Sequence, residues 1–109
     1  MALYHTTDHQ GVSEINPSAN KMRSLLDSLD SVSTQETEHQ DVSLVHDPSG
    51  WSLNVYPSNI VTFENLDKPN NTPYFMTSIS RKDALKLWLR LSRGEIDHIK
   101  SQPWLQQDV

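Results

Sequence analysis

Residues 41–65 read DVSLVHDPSGWSLNVYPSNIVTFEN. Apolar and polar side chains alternate through three short runs, 41–46, 51–56 and 60–66, as half-buried strands require. Between them stand DPSG and PSN, both rich in turn formers. Connections this short join antiparallel neighbours, because a parallel crossover takes about a dozen residues or more.

The turns also set the register. A loop made of Pro57, Ser58 and Asn59 places Tyr56 opposite Ile60 and Leu53 opposite Phe63. Such a loop is commonly a type I turn followed by a left-handed residue, and asparagine tolerates that conformation. A loop one residue shorter would set Leu53 against Glu64 and bury a charge. On the other side, Asp47, Pro48, Ser49 and Gly50 set His46 opposite Trp51 and Leu44 opposite Leu53. Both loops agree on one inner face: Val42, Leu44, His46, Trp51, Leu53, Val55, Val61 and Phe63. A slip by one residue would turn that whole set to water.

A fourth run, YFMTSIS at 74–80, follows the turn-rich DKPNNTP. The expected fold is α+β: a four-stranded antiparallel β-meander with C-terminal helices packed on one face and a short N-terminal helix. Ser80 ends the last strand and opens a helix, since SRKD is a capping box with Asp83 in the usual glutamate place. In that helix Ala84, Leu85, Leu87, Trp88, Leu89 and Leu91 span an arc of roughly 200°. A surface helix needs an apolar stripe of only about 100°. Gly94 interrupts the helix. EIDHIK continues as a second one with Ile96 and Ile99 inward, Pro103 stops it, and Trp104 folds back onto the domain.

Upstream, residues 1–15 show neither period and read as a flexible arm. The domain proper is expected over 16–109. Asn16 and Pro17 suit a helix start, and Met22, Leu25, Leu26 and Leu29 follow as one apolar stripe. SVSTQETEHQ at 31–40 reads as a polar linker. Two arrangements would cover the wide leucine arc of the later helix. Either this first helix docks on it, or a second copy does so in a two-fold homodimer. The dimer is the preferred reading.

Composition narrows the function. The chain has 109 residues, enough for one domain. It has no cysteine, which excludes disulfides, thiolate metal sites and cysteine nucleophiles. Its start lacks the basic and apolar regions of a secretory signal, and no run approaches the ~18 apolar residues of a spanning helix. The expectation is a soluble, cytoplasmic protein. The net charge is −5, the isoelectric point is about 5.4 and the mean hydropathy is −0.62. Such a chain does not favour a phosphate backbone. Cations gather late, at Arg81, Lys82, Lys86, Arg90, Arg93 and Lys100, while acids dominate before Asp47.

No motif announces catalysis. There is no glycine-rich phosphate loop, no GxSxG, no HExxH and no telling carboxylate pair. His5 and His9 have a metal-binding spacing without a third ligand. His46 lies on the inner face, and a general base there would need a nucleophile or acid within reach. Trp51, Trp88 and Trp104 read as core bulk rather than a ligand cage. No enzyme activity, cofactor, metal, nucleic acid or membrane partner is therefore read.

The outer face of the meander is more informative. It carries Ser43, Val45, Ser52, Asn54, Tyr56, Ile60, Thr62 and Glu64, and lacks the lysines and arginines of a bare solvent face. Hydroxyls, an amide and an aromatic ring make adaptable contacts of the kind found at protein interfaces. Ser52, Asn54, Tyr56, Thr62 and Glu64 are the expected partner-binding residues.

Gly50-Trp51 with Leu53, Pro57-Ser58, Val61 with Glu64-Asn65, Leu87-Trp88 with Leu91, Gly94, Ile96, Ile99 and Pro103-Trp104 form a pattern over the last two thirds of the chain. That pattern resembles a group of small bacterial proteins similar to immunity proteins of bacterial toxin systems. The resemblance implies a non-enzymatic protein that neutralises a toxin. An acidic domain would suit occlusion of a basic nuclease or deaminase site. The alternative is a small-molecule-binding or regulatory domain with a pocket between sheet and helices.

Overall fold

The structure is a computed structural model and describes residues 3–8, 10–29, 41–67 and 74–106. The linker at 31–40, most of the DKPNNTP turn and His9 lie outside the described residues. The strands are β1 (Tyr4–Thr7), β2 (Ser13–Ile15), β3 (Val42–His46), β4 (Trp51–Val55), β5 (Val61–Asn65), β6 (Tyr74–Met76) and β7 (Leu105–Gln106). The helices are α1 (Ala19–Ser28), α2 (Arg81–Ser92) and α3 (Ile96–Lys100). All strands join one antiparallel sheet in the order β2-β1-β3-β4-β5-β6-β7.

The meander β3-β4-β5-β6 has the expected register. Leu44 pairs with Leu53, His46 with Trp51, and Leu53 with Phe63. Asn59 is left-handed, with φ 67°, and the Tyr56 N–H donates to the Ile60 carbonyl at 2.9 Å. The sheet is nevertheless wider than four strands. Two are added at one edge by the N-terminal segment, and the two-residue β7 is added at the other.

The reading of 1–15 as a flexible arm is thereby corrected. β1 pairs with β3 along its length and places Thr6 opposite Leu44, where Thr6 is buried. The Tyr4 hydroxyl donates to the Pro17 carbonyl at 2.8 Å. The turn to β2 is built by Asp8, whose carboxylate accepts from the Gln10 and Val12 N–H groups, both at 2.9 Å. Asn16 does not cap α1. It sits at φ 50°, and its side-chain oxygen accepts from the Tyr4 N–H at 3.1 Å. Ser18 is the cap instead, accepting from the Lys21 N–H at 3.2 Å.

All three helices contribute to one core on the inner sheet face. Its sheet residues are Val42, Leu44, Leu53, Val55, Val61, Phe63 and Met76, every one of the inner set or in phase with it. Ser80 caps α2 as expected, accepting from the Asp83 N–H at 3.1 Å. β6, however, stops at Met76, and Ser78 turns the chain at φ 60°. The buried Trp88 of α2 donates its indole N–H to the Leu53 carbonyl at 3.0 Å. The wide apolar arc of α2 is met within the chain. Met22, Leu26 and Leu29 of α1 and its end are buried in the same cluster as Leu85, so the first helix docks on α2. Each such fully buried side chain stabilises by roughly 1.5–3 kcal/mol. The uncovered margin that argued for a homodimer is therefore occupied by α1.

At the other end Phe63 lies between two tryptophans. Trp51 stacks on it at 4.3 Å and Trp104 at 5.4 Å. The Trp104 indole N–H donates to the Ile99 carbonyl at 2.6 Å, and the Lys100 ammonium stands 4.9 Å over Trp51. Trp88 lies in the same core cluster, with its indole N–H on Leu53, and the three tryptophans serve as core bulk. Among the described residues no helix is long and apolar enough to cross a membrane.

Candidate functional site: the open sheet face

A strand with period two has one face for the core and one left over. Here the described helices all pack on one side, so among the described residues no helix lies over the leftover face of β3, β4 and β5. The expected residues come together on it. Ser52 pairs with Glu64 and Asn54 with Thr62, and Tyr56 follows in phase just beyond β4. The Ser52 hydroxyl donates to Asn54 Oδ1 at 2.8 Å, and Asn54 Nδ2 donates to Glu64 Oε1 at 3.1 Å. The first bond runs along β4 and the second crosses diagonally to β5, and together they hold three polar side chains in fixed positions. Fixed polar groups lose less entropy on docking than mobile ones.

The centre of this face is not fully wet. Ser52 is 3 % exposed and Val45 is 7 % exposed, while Ser43, Asn54, Tyr56, Ile60, Thr62 and Glu64 are half-buried. The Tyr56 phenol is held above its ordinary pKa, first by burial and then by the nearby carboxylates of Asp41 and Glu64. The Thr62 hydroxyl acts the other way through a hydrogen bond. Two negative charges thus bear on one half-buried aromatic ring.

The charge distribution extends this picture. The described sheet strands and their hairpins contain Asp8, Glu14, Asp41, Asp47, Glu64 and Asp67 and neither lysine nor arginine. Among the described residues the cations lie in the helical layer, at Lys21, Arg23, Arg81, Lys82, Lys86, Arg90, Arg93 and Lys100, alongside the acids Asp27, Asp83, Glu95 and Asp97. Among the described residues the sheet side is therefore net negative and the helical side net positive.

Several residues of this face escape a reading of the sequence alone. β1 adds His5 and Thr7 beside Val45 and Ser43. His5 Nδ1 lies 2.9 Å from an Asp47 carboxylate oxygen, and Thr7 and Ser13 share a hydroxyl contact at 3.1 Å. At the flanks, Ile15 of β2 and the Phe75–Leu105 pair of β6 and β7 are in phase with the outer set. Ile15 is 72 % and Leu105 53 % exposed. The signal available was the aspartate and glycine of residues 8–11, a hairpin mark between Tyr4-His5-Thr6-Thr7 and Ser13-Glu14-Ile15.

The other sequence candidates resolve differently. His46 is buried on the inner face, with Nδ1 2.7 Å from Ser49 Oγ. That hydroxyl also donates to the His46 carbonyl at 3.3 Å and accepts from the Trp51 N–H at 3.4 Å. The pair builds the β3–β4 turn, and Gly94 closes over the Nε2 side of the ring. Among the described residues no group of three or more histidines and acids converges as for a metal. Compared with known protein families, curated proteins and solved structures, the chain matches none of them.

Proposed function

We propose that this domain is a non-enzymatic protein-binding module that docks a basic partner on its open sheet face. The contacts come from Ser52, Asn54, Tyr56, Thr62 and Glu64. Within that reading, the partner is a bacterial toxin domain whose cationic site the chain occludes in the cytoplasm. The observation that carries the proposal is the outer face itself: a sheet surface with, among the described residues, no helix over it, an ordered polar centre and no cation. A bare solvent face gains nothing from a buried serine bonded to an amide that is itself bonded to a carboxylate. An interface does, because a preorganised polar network is desolvated at lower cost. The sign segregation adds steering, since a negative face attracts a positive partner and orients its approach.

The test uses the genome and one binding measurement. A toxin of this kind is expected in the gene directly upstream. Its toxic domain, purified with this chain, should form a complex seen by titration calorimetry. Glu64→Lys reverses the only formal charge among the five residues and should weaken that complex by at least about tenfold, as for a buried charged contact. A complex unaffected by Glu64→Lys and Tyr56→Ala would remove the sheet face from the account.

A further inference from the structure

The opposite side of the domain holds a second feature, independent of the sheet face. A groove of about 360 Å³ runs between α2, α3 and the segment after β6. Its floor is apolar: Met76, Ile79 and Leu87. Along one wall α2 presents Asp83, Lys86 and Arg90, which with Leu87 follow the three- and four-residue spacing of one helix face. The other wall is His98 and Gln102, one turn apart at the end of α3.

The chemistry of these walls is specific. Lys86 and Arg90 put two cations one helical turn apart beside an apolar floor. Glu95 holds Arg90 by Nη1, at 3.0 Å from Oε1, which orients the guanidinium. Lys86 makes no ion pair with any described residue. Asp83 stands on the same wall, one turn before Lys86, and repels an anion from that end. The groove volume falls within the ~300–1,000 Å³ of small-molecule sites. A bare inorganic anion would leave the floor unused, and a neutral apolar molecule would make no use of Lys86 and Arg90.

We propose that this groove binds a small organic anion with an apolar body. Its anionic oxygens lie between Lys86 and Arg90, and its body rests on Met76, Ile79 and Leu87. Carboxylates and phosphate monoesters share that chemistry. The domain would then carry a ligand site on its helical layer while its sheet face stays free.

The test is a titration of the isotope-labelled full chain followed by NMR, with benzoate, phenyl phosphate, inorganic phosphate and benzamidine as probes. Benzoate or phenyl phosphate should shift the amides of Ile79, Leu87 and His98 saturably, with a Kd of about 1 mM or tighter. The tighter of the two names the anionic group. Inorganic phosphate and the cation benzamidine should bind at least about tenfold more weakly. Lys86→Glu should lose about tenfold or more of the affinity, the scale of one charge-assisted hydrogen bond. Lys82→Glu, outside the groove, should leave it unchanged. Lys86 and Lys82 are both exposed, so neither change disturbs the core. Four outcomes overturn the proposal: no saturable shift, equal binding of inorganic phosphate, equal binding of benzamidine, or equal losses in both lysine variants.

Discussion

The indole N–H of Trp88 donates to the carbonyl oxygen of Leu53 at 3.0 Å. That bond ties the middle of α2 to β4, the central strand of the sheet. It helps seat α2 on the inner face that the apolar alternation selects, opposite the face left open. Trp88→Phe keeps most of the ring and removes the donor. It should cost about 1–3 kcal/mol in denaturant unfolding, the penalty for an unsatisfied buried group. A neutral effect would show that packing alone seats α2.

The register makes a paired prediction. Phe63 is fully buried opposite Leu53 and stacked between Trp51 and Trp104. Phe63→Ala should cost about 3–5 kcal/mol. Tyr56→Ala, on the open face, should cost far less. Equal small losses at both positions would contradict the assignment of inner and outer faces.

The N-terminal segment should matter to stability. Deleting residues 1–15 removes β1 and β2, uncovers Leu44 beside Thr6 and leaves β3 as a bare edge. Bare edges with apolar neighbours invite pairing with other chains. The truncated protein should melt many degrees lower and associate in sedimentation. An unchanged melting temperature would show that β1 is dispensable.

The difference between the meander and this segment explains what a reader of the sequence can see. β3, β4 and β5 each carry two or three inward apolar residues bounded by turn formers, and two loops agree on one register. That agreement is enough to fix pairing, the inner set and the candidate face. β1 sends only Tyr4 and Thr6 inward, too few for a period, and β2 is exposed throughout. Its place is set by pairing with β3, a partner more than thirty residues away in the chain. Asn16-Pro17 misleads for a related reason. Asparagine serves both caps and left-handed turns, and only the bond to Tyr4 decides between them. The cover for the leucine arc of α2 was likewise a choice between α1 and a second copy, which amphipathicity alone does not settle. On the candidate face, Ser52 and Glu64 are readable from alternation, whereas the hydrogen bonds through Asn54 depend on side-chain rotamers.

Gly94 offers a local test of the helical layer. It sits at φ 78°, and a Cβ there would stand 3.2 Å from His46 Nε2. Left-handed backbone costs a residue with a Cβ roughly 1–2 kcal/mol, and the tight His46 ring adds to it. Gly94→Ala should therefore lower stability by about 2 kcal/mol. Gly94→Asn tests the same spot with a residue that tolerates the conformation better. If both variants were as stable as the parent, the α2–α3 junction would not be held as described.

Tyr56 gives a pH signature. Its phenol is held protonated above the ordinary value of 10.0 by burial, then Asp41, then Glu64. The stabilising effect is complete below the unfolded pKa and is lost as pH rises through the higher folded pKa. In a Tyr4→Phe, Tyr74→Phe background, tyrosinate absorbance should titrate above the free phenol. Glu64→Gln should move the midpoint back down. A midpoint unmoved by Glu64→Gln would show that the carboxylate does not bear on the ring.

Docking on the open sheet face is tested most directly by amide chemical-shift mapping of the labelled chain as the proposed partner, a toxic domain expected in the gene directly upstream, is added. Shifts and line broadening are expected on Ser52, Asn54, Tyr56, Thr62 and Glu64 and on their outward neighbours in β1 and β3. The exposed faces of α1 and α2 should stay unperturbed. Perturbation confined to the helical layer, with the sheet face silent at saturation, would contradict it.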